Sequence, residues 1–229
     1  MVPIDPRPNA GAVPRGEPVS WHDPHIVEFD LRPLSLGDRS LESVLRARRS
    51  SRILSEAPIE DVAFAIRETL RAHFVGVAAK HGRKLKAVVS SGALHPVMGV
   101  LLGRDVRPIV YDDISDRFLS VGARDPQQLN AFLKNCRKVL PEANGHWIAL
   151  VADIRDLSRL YSDHQSLLWR DAGAVIQAMA MVAEARDLAF CPLGILGQQV
   201  VDALLPSASG LVAVGVVAIG RRGIHQNAS

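Results

Sequence analysis

The chain has 229 residues, of which 48% are hydrophobic, 22% charged and 5% aromatic, and its net charge is +3. That length fits one domain with an arm better than two domains, and it can bury a core without a disulfide or metal staple. A slight basic excess with few aromatics argues against a nucleic-acid platform, where charge gathers on one face and bases stack on rings; a small anionic ligand suits the excess as well.

Residues 1–18 contain Pro3, Pro6, Pro8, Pro14 and Pro18 and read as an extended, mobile arm. Asp5 and Arg7 with no apolar run beside them do not look like a signal peptide. Residues 19–40 read as a cover over the main body, which gives an arm over 1–37 and a domain over 38–229. His22 and His25 flank Asp23-Pro24 with no third ligand nearby, so a surface role is expected and no metal site. Ser40 is placed to cap a helix that has Glu42 in its first turn and runs into Arg46, Arg48, Arg49 and Arg52. A second helix is expected from Glu60 to about His73, with Val62, Ala65, Ile66 and Leu70 on one face. Lys86 to Val89 and Met98 to Leu102 read as strands. Arg107–Tyr111 and Phe118–Val121 bracket an Asp-Asp turn and suggest a hairpin. Pro126 to Val139 reads as a helix, and Trp147 to Ala152 as a buried strand. Asp171 to about Arg186 reads as a long helix, Ala- and Met-rich and apolar on most faces, hence buried. Gly194 and Gly197 precede a short helix from Gln198 to Leu205. Leu211 to Ile219 forms the last core strand, too short to span a bilayer. Helices first, then strands interleaved with helices, give an α+β or α/β domain. Cys136 and Cys191 form no CxxC pair, which points to reduced thiols in the cytoplasm.

Three segments carry the chemistry. Arg46-Ala-Arg-Arg-Ser-Ser-Arg52 sets four arginines within two turns, with a hydroxyl among them. This is either an anion site or a solvated basic helix end. In Val88-Val-Ser-Ser-Gly-Ala-Leu-His-Pro96 small residues allow a flat ligand close to the backbone, or make an ordinary turn. The helix from Asp171 leads to Phe190-Cys-Pro-Leu-Gly194, whose backbone N–H groups either face a ligand or close a plain turn. No GxGxxG in a strand–helix context and no Walker loop is present.

In order, these segments resemble the nitroreductase superfamily of flavin proteins. Arg48-Arg49-Ser50-Ser51-Arg52 resembles its RRSxR opening. Ser90-Ser91-Gly92-Ala93-Leu94-His95-Pro96 is similar to the S-A-G-A-L-[HY]-P segment of the SagB-type, or McbC-like, dehydrogenases, and Ile109-Val-Tyr-Asp112 to the hairpin that follows it there. The helix from Asp171 resembles "eaGhiaQnlyLaAea", and Cys191-Pro-Leu-Gly194 resembles the flavin turn "GtcPiG". The resemblance covers about residues 38–222.

It implies an α+β fold around a mainly antiparallel sheet flanked by helices, an intertwined homodimer, and FMN at its interface. By that resemblance Arg48, Arg49 and Ser50 hold the phosphate and Arg52 lies near the pyrimidine edge. Ser90, Ser91 and Gly92 line the ring, and Pro192, Leu193 and Gly194 bring backbone groups to N5 and O4. Arg221 or Arg222 reaches the phosphate. The implied activity is an FMN-dependent oxidoreductase that dehydrogenates a peptide-derived or amino-acid-derived substrate, of the azoline-to-azole type, by hydride transfer to flavin N5. The alternatives are an NAD(P)H-dependent nitro or quinone reductase and a flavin-free scaffold partner in a maturation complex. No nucleic acid and no membrane is implied. SagB-type enzymes carry a Lys-Tyr pair before the long helix. Here Tyr161 is kept as the candidate acid or base, but Leu160 replaces the Lys, a departure that bears on azoline oxidation more than on flavin binding. Arg159 and Arg170 are the arginines expected beside Tyr161. His95 and Cys191 read as packing residues.

Overall fold

The structure, a computed structural model, describes residues 4–77, 82–103, 106–207 and 209–223. Its helices are α1 (Leu41–Ala47), α2 (Ile59–Leu70), α3 (Pro126–Val139), α4 (Arg155–Leu160), α5 (Gln165–Ala185) and α6 (Gln198–Leu204). Its strands are β1 (Arg7–Pro8), β2 (His25–Val27), β3 (Leu54–Ser55), β4 (Phe74–Val75), β5 (Lys84–Leu85), β6 (Val97–Leu102), β7 (Ile109–Asp112), β8 (Arg117–Ser120), β9 (His146–Asp153), β10 (Tyr161–Ser162), β11 (Leu188–Leu193) and β12 (Leu211–Arg222). The main sheet runs β11-β12-β9-β6-β7-β8-β2, and β3 pairs with the end of β12. Every strand pair in it is antiparallel.

The centre of the sheet shows why it is buried on both sides. Along β9, Ile148, Leu150 and Ala152 face one apolar cluster with α2 and α5. Trp147, Ala149 and Val151 face a second cluster with α3 and α6. A period of two that is apolar on both phases requires cover on both faces, and the helices supply it.

Local signals set several boundaries. Ser40 Oγ accepts the Ser43 N–H at 3.1 Å and starts α1, and Asp125 caps α3 ahead of Pro126. Four expectations are corrected. α1 stops at Ala47, so Arg48, Arg49 and Arg52 lie on the extended segment after it. Lys86 to Val89 has no neighbouring strand among the described residues; the ladder forms one step earlier, where Lys84 and Leu85 pair with Val75 and Phe74. Cys191 to Leu193 is strand, not turn. Pro192 fits because β11 is the edge of the sheet, where a missing N–H breaks no ladder on its open side. α5 begins at Gln165 and leaves Trp169, Gly173 and Gln177 exposed.

The N-terminal segment is held rather than free. β1 pairs with β10, and Asp156 accepts the N–H groups of Arg15 and Gly16, both at 2.8 Å. No helix among the described residues is long and apolar enough to cross a membrane.

Candidate active site

The expected site residues fall into two groups. The first gathers at the β11 edge. The Ser51 N–H donates to the Phe190 carbonyl at 3.0 Å, and Ser50 bridges the same residue. This contact pulls the chain out of α1 and lays the arginine segment along β11. Arg49 Nη1 curls back to the carbonyls of Arg46 and Arg48, at 2.8 and 2.9 Å, groups that the end of α1 leaves unpaired. Arg46 pairs with Glu42. Arg48, Arg49 and Arg52, among the described residues, have no carboxylate partner. Burial pushes the Cys191 thiol up, and the charge of Arg52 beside it pulls the other way. Pro192 and Gly194 are exposed, and nothing lies within 4 Å of where a Cβ on Gly194 would stand.

The alternation of β12 separates Arg221 from Arg222. Arg222 Nη2 lies 2.6 Å from Oε2 of the buried Glu184 on α5, whose Oε1 takes Arg39 at 3.0 Å. Arg221 lines a cavity of about 440 Å³ with Glu56, Ala57 and His146. Arg222 is therefore the one on the side of α1 and α5.

The second group forms at the other end of α5. Ser90 Oγ donates to Asp171 Oδ2 at 2.5 Å and accepts the His95 N–H at 2.9 Å. The Ser91 N–H donates to Asp171 Oδ1 at 3.1 Å. Asp171 is 5% exposed and, among the described residues, has no cation beside it; neutral donors satisfy it. Gly92 turns the chain at φ 62°. A Cβ there would meet the Tyr161 hydroxyl at 2.9 Å and Arg83 Nη1 at 3.0 Å, and Arg83 donates to the Gly92 carbonyl. The arginine near Tyr161 is thus Arg83. Arg159 is taken by Asp156, and Arg170 donates to the Ser166 carbonyl. Leu160, in the place of the absent Lys, is core.

Thirteen residues separate Asp171 from Glu184 on α5, roughly 20 Å at 1.5 Å rise per residue, so the Ser91 and Arg222 ends of the site stand well apart within one chain. Sequence reasoning missed two members. Asp171 had a signal: a carboxylate within an otherwise apolar helix must find donors. Arg83 had none.

The nitroreductase family model matches residues 45–221. Among solved structures, a protein from Ralstonia eutropha JMP134 designated a nitroreductase aligns over 97% of this chain and 100% of its own, with TM-score 0.59 and 13% identity. One from Desulfovibrio desulfuricans, also designated a nitroreductase and solved with FMN, aligns over 84% and 92%, with TM-score 0.53 and 15% identity. The E. coli microcin synthetase McbBCD complex with truncated pro-MccB17 bound contains a chain aligned over 86% and 79%, with TM-score 0.55 and 14% identity. No curated protein matches the chain.

Proposed function

The chain belongs to the nitroreductase family, and on that premise we propose an FMN-dependent oxidoreductase that dehydrogenates a peptide- or amino-acid-derived substrate. The azoline-to-azole type comes first. The observation that carries the proposal is the set Arg48, Arg49 and Arg52, without carboxylate partners, beside Ser50 and the open end of β11. A phosphate near neutral pH carries close to two negative charges and accepts from guanidinium and hydroxyl donors together. The donor set present fits FMN.

Arg48, Arg49 and Ser50 would hold the phosphate, with Arg222 the nearer of the two strand-end arginines. Arg52 would face the pyrimidine edge, and Pro192, Leu193 and Gly194 would lie along the ring. Bound FMN supplies the two-electron acceptor, and the protein supplies position and charge. Ser90, Ser91 and Gly92, fixed by Asp171, would form the other wall. Tyr161, beside Arg83, would take or give the proton at the substrate. The chain would act as a homodimer. The exposed Trp169 on α5 and Leu41 and Leu45 on α1 offer a second copy an apolar surface to cover. A fold relative that sits in a peptide-bound complex makes a peptide the first substrate class to test. The second reading, an NAD(P)H-dependent nitro or quinone reductase, is favoured by the buried Leu160: no Lys base accompanies Tyr161.

The visible spectrum of the purified protein tests the proposal. Oxidised flavin bands are expected, as prepared or after FMN is added, and Arg48→Ala with Arg49→Ala should remove them. Protein that stays colourless with FMN overturns it in favour of a scaffold. Anaerobic bleaching by NADPH would select the reductase.

A further inference from the structure

Tyr161, read above as the proton carrier, makes no side-chain hydrogen bond among the described residues. Its ring packs on the main apolar cluster. Its hydroxyl and Arg83 Nη1 both lie within 3.0 Å of where a Cβ on Gly92 would stand. The place of that hydroxyl is therefore decided by the backbone that carries the ring.

That backbone is weakly founded on its own. Tyr161 closes α4, a helix of 6 residues whose start at Ile154 has no side-chain cap. A helix so short is not stable by itself, and its last carbonyls need donors from outside. The N-terminal segment supplies them. Asn9 Nδ2 donates to the Arg159 carbonyl at 2.7 Å, and the Asn9 N–H to the Leu160 carbonyl at 2.8 Å. Pro8 and Arg7 then pair with Tyr161 and Ser162. At the other end of α4, Asp156 takes the N–H groups of Arg15 and Gly16. The same segment reaches the neighbour of Tyr161. Buried Pro14 packs on Gly82, the residue before Arg83. A Cβ on Gly82 would meet Pro14 Cβ at 3.0 Å, and the Gly16 nitrogen and Asp156 Oδ2 at 3.1 Å. The N-terminal segment, α4 and the Gly82 turn thus meet at one point.

We propose that residues 7–16 are the positioning element for the wall that handles the proton, with Asn9 as the positioning residue of Tyr161. The segment ties α4 to the Gly82 turn, and so sets Tyr161 and Arg83 side by side at Gly92. A donor on Asn9 is what the end of α4 requires: the side-chain amide and the backbone N–H take the two carbonyls just before Tyr161. The chemical meaning of this placement rests on the reading of Tyr161 as acid or base; the placement itself does not.

The chain has 2 tyrosines, which allows a direct test by fluorine NMR of the full chain labelled with fluorotyrosine. Tyr111 is 3% exposed and its hydroxyl donates to Asp116 at 2.8 Å, so its line is a fixed reference. Tyr161→Phe assigns the other line. Asn9→Ala should shift the Tyr161 line and leave that of Tyr111 in place. Asn9→Asp keeps the size but has no side-chain donor, and it should shift the Tyr161 line likewise. Hydrogen exchange at the Tyr161 amide, which donates to the Leu157 carbonyl, should quicken about threefold in both variants, as expected for one exposed hydrogen bond lost from a locally opening segment. A Tyr161 line unmoved in Asn9→Ala, or an unchanged exchange rate, overturns the proposal. So does an Asn9→Asp chain that matches the unaltered one, or a Tyr111 line displaced as far as that of Tyr161. Neither measurement uses flavin, so a chain that stays colourless with FMN sinks the reading above and leaves this result standing.

Discussion

Among the described residues, three arginines at the β11 edge stand without a carboxylate, and at the far end of α5 a carboxylate, Asp171, stands without a cation. The difference is exposure. Arg49 and Arg52 are exposed and Arg48 is partly so, so water solvates the charges and no internal partner is required. Such groups remain available to an anion that arrives from outside. Asp171 is buried, and a buried charge must be satisfied within the fold. It is satisfied by Ser90 and Ser91, and in being satisfied it fixes the turn that carries Gly92. In the proposed site, one half is thus left open to a ligand, and the other is completed within the fold.

The comparison is most exposed to failure at Asp171. Asp171→Ala leaves two serine donors without their acceptor and should cost about 3 kcal/mol of stability, the upper range for hydrogen bonds to a buried charged group. Arg48→Ala should cost under about 0.5 kcal/mol, as surface changes do. Urea denaturation of the two variants measures both, and similar losses would erase the distinction.

Lys86 sharpens it with a second buried charge. Its folded pKa of about 8 lies below the ordinary 10.5, so the folded chain gives up this proton before the unfolded chain does. Between those values the unfolded state binds more protons, and stability rises with pH. The gain should be about 2 kcal/mol from pH 8 to pH 10, at 1.36 kcal/mol per pKa unit. Lys86→Met should lack this rise. A variant that keeps the wild-type slope would assign the proton elsewhere.

Gly92 tests how tightly the completed half is set. Its φ of 62° disfavours a side chain, and a Cβ would meet both Tyr161 and Arg83. Gly92→Ala should cost about 1 kcal/mol, measured by thermal unfolding. A neutral result would mean that the turn relaxes freely.

Much of the scaffold was legible because local rules decide it. Ser40 as cap, the bounds of α3 and the two-phase apolar run of β9 follow from capping and periodicity alone. What was not legible depended on tertiary partners. The end of α1 is set by a contact from Ser51 to Phe190, 139 positions away in number. Lys86 makes no strand because, among the described residues, no backbone ladder runs beside it, although its side chain is buried against Asp113. Pro192 suggested a turn, whereas an edge strand tolerates it. The N-terminal segment reads as mobile by composition, yet Asp156 and β10 hold it. The arginine segment alone left an anion site and a solvated helix end open, and only the family resemblance grouped it with Cys191–Gly194, beside which the structure lays Ser50 and Ser51; nothing local announced that Arg83 would reach Gly92.

The smallest effect separates the arginine segment from the helix that leads into it. Ser40→Ala removes the Oγ that accepts the Ser43 N–H. In a short and largely exposed helix the cost should be near the low end for caps, about 0.5 kcal/mol. If α1 positioned the arginines, fraying its first turn would also weaken FMN. The contacts argue otherwise: Ser50 and Ser51 are held by the Phe190 backbone, and the helix frays at the end away from Arg48. A titration of Ser40→Ala with FMN should therefore match the unaltered chain within about twofold, while chemical denaturation still registers the lost cap. A drop in affinity that tracks the drop in stability would show that the open half of the site is held by α1 and not by the edge of the sheet.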